Sequence, residues 1–318
     1  MAAGFFAAAF PDSDSVLRSI DTLTYLNWHQ GLTHSVLLLP VWAILLAHLF
    51  SRLTGRRYSW RAFSGPALLG IAIHICGDVI TAYGPMLLAP ISSRRFSLPL
   101  AFLIDPYFSA IIAAGLAAAM FLPWKRNAAV VALVMLGCYV TFQGALRYRA
   151  IDAGKAYAAT LGFAEAEVHA LPQPLSPFNW KIIVSDDDGY HEALVSLRRG
   201  PTSIQPGPEA GLLRRISAAY QPISVAAWTH HPRFGDTPSE IALAHEAWND
   251  AAFAGFRRFA VFPAVDRIEQ SGDRACVRFL DLRFTLPAVP ASFRYEMCRD
   301  YATDNWRLNR VRGVFWMD

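Results

Sequence analysis

PALLGIAIHICGDVITAYGPMLLAP, residues 66–90, is apolar over most of its length yet carries His74, Asp78 and Thr81 in its middle. A segment this apolar on every side reads as a helix immersed in lipid, where about 20 residues cross the hydrocarbon core. Positions i, i+4 and i+7 share one helix face, so the three polar residues form a stripe. Ionisable groups inside a span are costly and mark function by default.

Three more apolar segments flank this one, at 32–50, 98–122 and 128–146. Residues 2–11, AAGFFAAAFP, are too short to span and run into the acidic PDSD without the basic start of a signal peptide. They read as the tail of a helix that begins upstream. Four full spans plus this partial helix are expected, in a membrane domain over 1–149.

Composition supports the division. Of 318 residues, 54% are hydrophobic and only 17% charged, against about 25% charged in ordinary soluble domains. Residues 1–150 hold eleven Lys and Arg against five Asp and Glu, and the remainder holds eighteen against twenty. The basic residues cluster beside apolar spans rather than on one polar face, which argues against nucleic-acid binding. Arg52, Arg56, Arg57 and Arg61, and then Lys125 and Arg126, place their loops in the cytoplasm by the positive-inside rule. The 12–31 and 91–97 loops then face outward, and the chain leaves the membrane outward near Arg147.

From about residue 150 the texture changes. Residues 150–163 read as a short helix, and Pro172, Pro174 and Pro177 as a linker. Strand-like runs follow at 178–185, 190–197, 276–284, 292–299 and 306–316, several alternating apolar and polar. Thr237-Pro-Ser-Glu240 offers an N-cap, a Pro at N1 and a Glu at N3 for a helix over 238–256. The expectation for 150–318 is a water-soluble α+β domain on an antiparallel sheet. Cys76 and Cys138 read as small buried hydrophobes. Cys276 and Cys298 lack CxxC spacing, which argues against a zinc ribbon and leaves a disulfide open.

The polar residues of the membrane half form a set. His29 and His34 lie at the outward mouth of the first span, Asp12 and Asp14 just before it, and Asp105 near the outward end of the third. Imidazole plus carboxylate suits zinc or another divalent metal, which would also compensate carboxylates that lipid disfavours. Metal-assisted hydrolysis follows as the expected chemistry. The same set would serve a proton- or ion-coupled transporter, and a non-enzymatic anchor with a partner-binding outer domain is a third reading. His48 reads as structural. His230-His231 reads as a surface loop, and Asp186-Asp187-Asp188-Gly189 as a turn, because the other positions of a calcium loop are absent.

At these residues the chain resembles a family of bacterial inner-membrane metal-dependent hydrolases, which includes a LexA-regulated member and is distantly related to zinc-dependent phospholipase C. The resemblance rests on Pro11-Asp12-Ser-Asp14, on His29-Gln30-Gly31-Leu32-Thr33-His34-Ser35, and on His74, Asp78, Thr81, Tyr83 and Gly84, followed by Pro90 and Arg94-Arg95-Phe96. It covers about residues 8–106. Gln30 stands where the family usually has Arg, which removes a cation that would hold a phosphate there. The resemblance implies metal-dependent hydrolysis of a phosphoester or phospholipid. His29, His34, His74 and Asp78 are the expected metal ligands. Asp12, Asp14 or Asp105 would complete the shell or act as general base. Arg94 and Arg95, with Thr81 and Tyr83, are the expected substrate contacts. The outer domain would cover the site or select the substrate.

Overall fold

A computed structural model of the chain describes residues 2–311 apart from 164, 204, 206 and 208. The chain divides into two compact units, 1–99 and 100–318.

The first unit is helical: α1 (Ala2–Ala9), a 3-10 segment (Pro11–Ser19), α2 (Thr22–Trp28), α3 (Leu39–Leu53) and α4 (Trp60–Val79). Its core is made of small and branched residues, with Ala7, Ala43, Ala47, Ala67 and Ile71 buried. At Gly70 a Cβ would stand 2.4 Å from the Gly4 carbonyl oxygen, so α1 lies backbone to backbone on α4. Leu45, Leu49, Leu69 and Ile73 point outward and are exposed. Helices apolar inside and out are built for lipid.

The second unit opens with α5 (Pro106–Phe121) and α6 (Lys125–Thr160). Gly115 meets Ala132 so closely that a Cβ would stand 2.3 Å from its methyl. Leu116, Met120, Leu133 and Val134 again face outward. Two four-stranded antiparallel meanders follow, in the order β1-β2-β3-β4 and β5-β6-β7-β8. The first comprises β1 (Val168–Pro172), β2 (Asn179–Ser185), β3 (Gly189–Ser196) and, after α7 (Leu212–Ala219), β4 (Trp228–Pro232). After α8 (Pro238–Asn249) and α9 (Ala254–Phe259) come β5 (Pro263–Ser271), β6 (Arg274–Asp281), β7 (Arg294–Asp300) and β8 (Asn305–Val311). The capping box of α8 forms as read: Thr237 Oγ1 accepts from Glu240 N, and Glu240 Oε2 accepts from Thr237 N.

Four full spans are not present among the described residues. Among the described residues two helices are long and apolar enough to cross, α4 and α6, or three if Thr22–His34 with Leu39–Leu53 counts as one span bent by 78°. The physical reasons are local. Gly84 (φ 76°), Pro85 and Pro90 end the expected 66–90 helix after Val79. The 32–50 segment breaks before Leu39, where the chain turns to deliver His34. Asp105 caps α5 by accepting from Tyr107 N and Phe108 N, and leaves a helix of 16 residues, or about 24 Å against a core of about 30 Å.

The soluble region departs from expectation in related ways. Residues 150–160 are the end of the 36-residue α6 rather than a separate helix, and 161–163 lie beyond it, so the composition boundary at 149/150 falls inside one continuous element. Leu146, Ala150, Gly154 and Ala158, four apart, pack this end of α6 onto the first sheet, against Trp180 and Ile182. The proline-rich stretch joins β1 to β2 within that sheet and is no linker between domains. His230 and His231 lie in β4. The expected 238–256 helix is interrupted where Asp250 caps a new turn by accepting from Ala252 N. Two sheets stand where one was expected, and residues 312–316 of the last expected strand lie outside the described residues. Cys276 and Cys298, directly opposite in β6 and β7, form a disulfide. Cys76 and Cys138 are exposed on apolar helices rather than buried.

Strand β2 is buried along nearly its whole length. One face meets α6. The other carries Lys181, 1% exposed, whose Nζ donates to Leu282 O and Thr285 O at 2.8 and 2.9 Å and lies 3.5 Å from Glu192. Burial pushes this ammonium below the ordinary lysine range, and Glu192 offsets part of that shift. Removing one partner of a buried pair costs about 3–5 kcal/mol because the other charge is stranded. Lys181→Met should therefore destabilise the purified protein by about that amount in denaturant unfolding. Adding Glu192→Gln should recover part of the loss, and no recovery would show that the pair is not what holds this layer.

Candidate metal centre

The site is built on the last turns of α4, where His74 and Asp78 share a face. Its other side is the irregular chain from 11 to 35. Pro11 starts the 3-10 segment that presents Asp12 and Asp14. Asp21 caps α2 by accepting from Thr24 N. Gln30 then takes the left-handed conformation (φ 58°). A Cβ at Gly31 would stand 2.6 Å from the Trp28 carbonyl oxygen, so the turn needs glycine. The 3-10 turn Leu32–His34 brings the His34 side chain into full burial.

Backbone this irregular must satisfy its own polar groups wherever water is excluded. Met86 N donates to Gln30 O at 2.8 Å, Val36 N to Leu87 O at 3.0 Å, and Leu98 N to Val79 O at 2.7 Å. The Arg95 guanidinium closes the bundle of loops. It donates to Gly84 O, Leu26 O, Asn27 O and His29 O, and lies over the Tyr83 ring.

Asp12, His34 and His74 bring ligand-type atoms into one group, and Asp78 Oδ2 meets the same two imidazoles. His34 Nε2 is 3.2 Å from His74 Nε2 and 3.0 Å from Asp78 Oδ2. His74 Nε2 is 3.2 Å from the same Asp78 oxygen. Asp12 Oδ1 stands 3.5 Å from His74 Nε2 and 3.8 Å from His34 Nε2. Ligands about 2.0–2.2 Å from a tetrahedral metal stand about 3.3–3.6 Å apart, close to these separations. Asp78 Oδ2 is buried and takes no properly directed hydrogen bond. Two imidazole nitrogens within hydrogen-bond distance of each other and of a carboxylate oxygen with no directed partner are a donor set that a divalent cation could hold together, so the residues fit one. Asp12, with a side chain 58% exposed, marks the open side of the cluster.

Asp14 forms a layer behind these four. Its Oδ1 lies 2.6 Å from His29 Nδ1, and its Oδ2 accepts from Gln30 N and Thr33 Oγ1, both at 2.9 Å. Thr33 Oγ1 also reaches His34 Nδ1 at 3.0 Å. Burial by itself raises the Asp14 carboxyl, but contacts with His29, His34 and Thr33 outweigh it and hold the group well below the usual carboxylate range. Asp14 is thus a fixed anion that orients His34 through Thr33. Thr33 is not singled out by the sequence pattern, although it sits inside the quoted His29–Ser35 block.

The other expected site residues lie elsewhere. His29 stacks on Tyr25 and pairs with Asp14. Asp105 belongs to the second unit, where it caps α5 and accepts from Tyr139 Oη at 2.7 Å. Thr81 Oγ1 donates to Asp78 O at 2.8 Å, and Tyr83 Oη to Leu26 O at 2.6 Å, so both position the scaffold. Arg95 is engaged by carbonyls, and Arg94 is exposed over the Phe96 ring. His48 stacks on Trp60.

Residues 1–150 match the family described as YdjM inner membrane protein. Over 100 residues the chain is 28% identical to the uncharacterized protein YfhP of Bacillus subtilis (strain 168), a stretch that is 30% of this chain and 29% of that protein. The chain therefore matches under a third of that relative's length. No solved structure matches it. The family match and the outward-facing apolar helices support a membrane protein. Neither description states a reaction.

Outer-layer partners of a ligand histidine are worth about 10–100-fold in metal affinity. If the group holds a divalent cation, Asp14→Asn should weaken its binding by about that factor without abolishing it. A competition titration with a chromogenic chelator reads the change, and an unaltered dissociation constant would remove Asp14 from the site.

Proposed function

We propose that the membrane unit is a metal-dependent hydrolase that holds a divalent cation, zinc by its donor set, on Asp12, His34, His74 and Asp78 and acts on a phosphoester or phospholipid. The observation that carries this reading is the His34 and His74 pair, met by Asp12 and by a buried Asp78 oxygen with no directed hydrogen bond. When bound, such a cation polarises a phosphoryl or carbonyl oxygen and lowers the pKa of a water toward about 7. The protein's own part is to orient and exclude. Asp14 and Thr33 fix the His34 ring, and the loop at 80–99 braces the His34 segment through Met86 N to Gln30 O and Val36 N to Leu87 O. Asp12, exposed at the rim, is the carboxylate placed to complete the ligand set or take a proton from an attacking water. Arg94 is the exposed cation available to an anionic head group.

This chemistry belongs, on the same reading, at the outer side of the inner membrane. Arg52, Arg56, Arg57 and Arg61 lie around the turn into α4, and His74 sits about 21 Å along the axis from Trp60, past the middle of the bilayer. The Cys276–Cys298 disulfide supports an oxidising compartment, and hence the periplasm, for the sheet domain.

Elemental analysis of detergent-purified protein should find a zinc content that falls by about one per chain in His74→Ala and in Asp78→Ala. Phospholipid and phosphoester hydrolysis should fall to background in the same variants. Equal metal content in wild type and both variants would sink the assignment. An impermeant maleimide should label Ser271→Cys, at the exposed end of β5, on intact spheroplasts. Labelling only after lysis would put the domain in the cytoplasm.

A further inference from the structure

We propose that the second unit carries a divalent-cation site of its own, zinc by its donor set, on Asp186, His191 and His230. The inference goes beyond the membrane centre, and every residue it uses lies after position 100.

The three residues are distant in sequence and are brought together by strand register. His191 in β3 is the direct cross-strand partner of His230 in β4, with ring centroids 5.0 Å apart. Asp186 follows β2 at the start of the turn into β3. Its Oδ1 accepts from the backbone N–H groups of Asp188 and Gly189, which locks the carboxylate. Its Oδ2 then faces both rings, 2.9 Å from His191 Nε2 and 3.8 Å from His230 Nε2. Gly189 is required here, since a Cβ would stand 2.3 Å from His231 O where β3 and β4 meet.

A simple ion pair would account for Asp186 and His191 but not for a second imidazole aimed at the same oxygen. The arrangement around His191 is that of a ligand histidine: Nε2 faces the cluster while Nδ1 lies 3.0 Å from Tyr157 Oη. A hydrogen bond at the second ring nitrogen fixes the tautomer and the ring plane of metal-bound imidazoles. Tyr157 is itself held by stacking on Trp228, centroids 3.7 Å apart and planes within 5°. Asp186 and His191 are mostly buried, and His230, with a side chain 39% exposed, forms the solvent side through which an ion enters. Two imidazoles and one carboxylate make the three-ligand set that leaves a fourth zinc position open. A third group of metal-ligating type, Cys276, Glu296 and Cys298, is closed by its disulfide.

The test uses the full chain in detergent with His74→Ala and Asp78→Ala already in place, so that the membrane centre does not contribute. That background should take up about one Zn²⁺ per chain, and Co²⁺ in its place should give the visible absorption of a tetrahedral site. Adding His230→Ala, at a half-exposed strand position, should remove both. Adding Tyr157→Phe should leave the stoichiometry and weaken affinity about 10–100-fold. Circular dichroism establishes that each variant is folded. The proposal is overturned if the folded background binds no metal, or if His230→Ala binds as tightly as its parent. The membrane reading rests on wild type against the background, and this one on the background against His230→Ala, so either can fail alone.

Discussion

Placing two imidazoles and two carboxylates at the end of a helix that runs through lipid is the constraint around which the first unit is organised. Each ionisable group is expensive at that depth unless it is paired or coordinates an ion. The chain meets this by abandoning regular structure on both sides of α4. Residues 11–35 fold as short helical turns and 80–99 as an irregular loop, their backbone groups bond to one another, and Arg95 gathers carbonyls that no helix would satisfy. Those loops occupy the length that unbroken spans would need. The small number of clear spans and the presence of the site have the same cause.

Helix α6 links the two environments by changing what its surface meets. Its first half exposes Val130, Leu133 and Val134 as lipid-facing helices do, and its last turns present Leu146, Ala150, Gly154 and Ala158 to a sheet. No flexible joint lies between these halves. The sheet it covers has β2 buried on both faces, which explains why a lysine there is anchored by carbonyls and Glu192. The face of the same sheet toward α6 holds the Asp186, His191 and His230 cluster, with Tyr157 of α6 as its outer partner.

Signals confined to a few neighbouring residues are legible in the amino-acid sequence. The apolar stretches, the His74 and Asp78 pair one turn apart, the Thr237 capping box and most strands of the sheet domain follow from periodicity and local hydrogen bonding. β1, β4 and β5 carry no such signal, because VHALP, WTHHP and PAVDRIEQS are short or mixed in polarity. They become strands by pairing with neighbours already in place.

By itself the sequence determined that the first part of the chain belongs in lipid, that polar residues line one helix there, and that a strand-rich domain follows. Hydrophobic period and composition are properties of the chain alone, and solvent acts on them directly. Only the tertiary structure decided which carboxylate meets which imidazole. It gave Asp12 to His34 and His74, kept Asp14 behind them, turned Arg95 inward, and set His191 opposite His230. These pairings depend on loop paths and strand register fixed by distant contacts. A spacing of 40 residues between His34 and His74 carries no geometric information until the chain has folded.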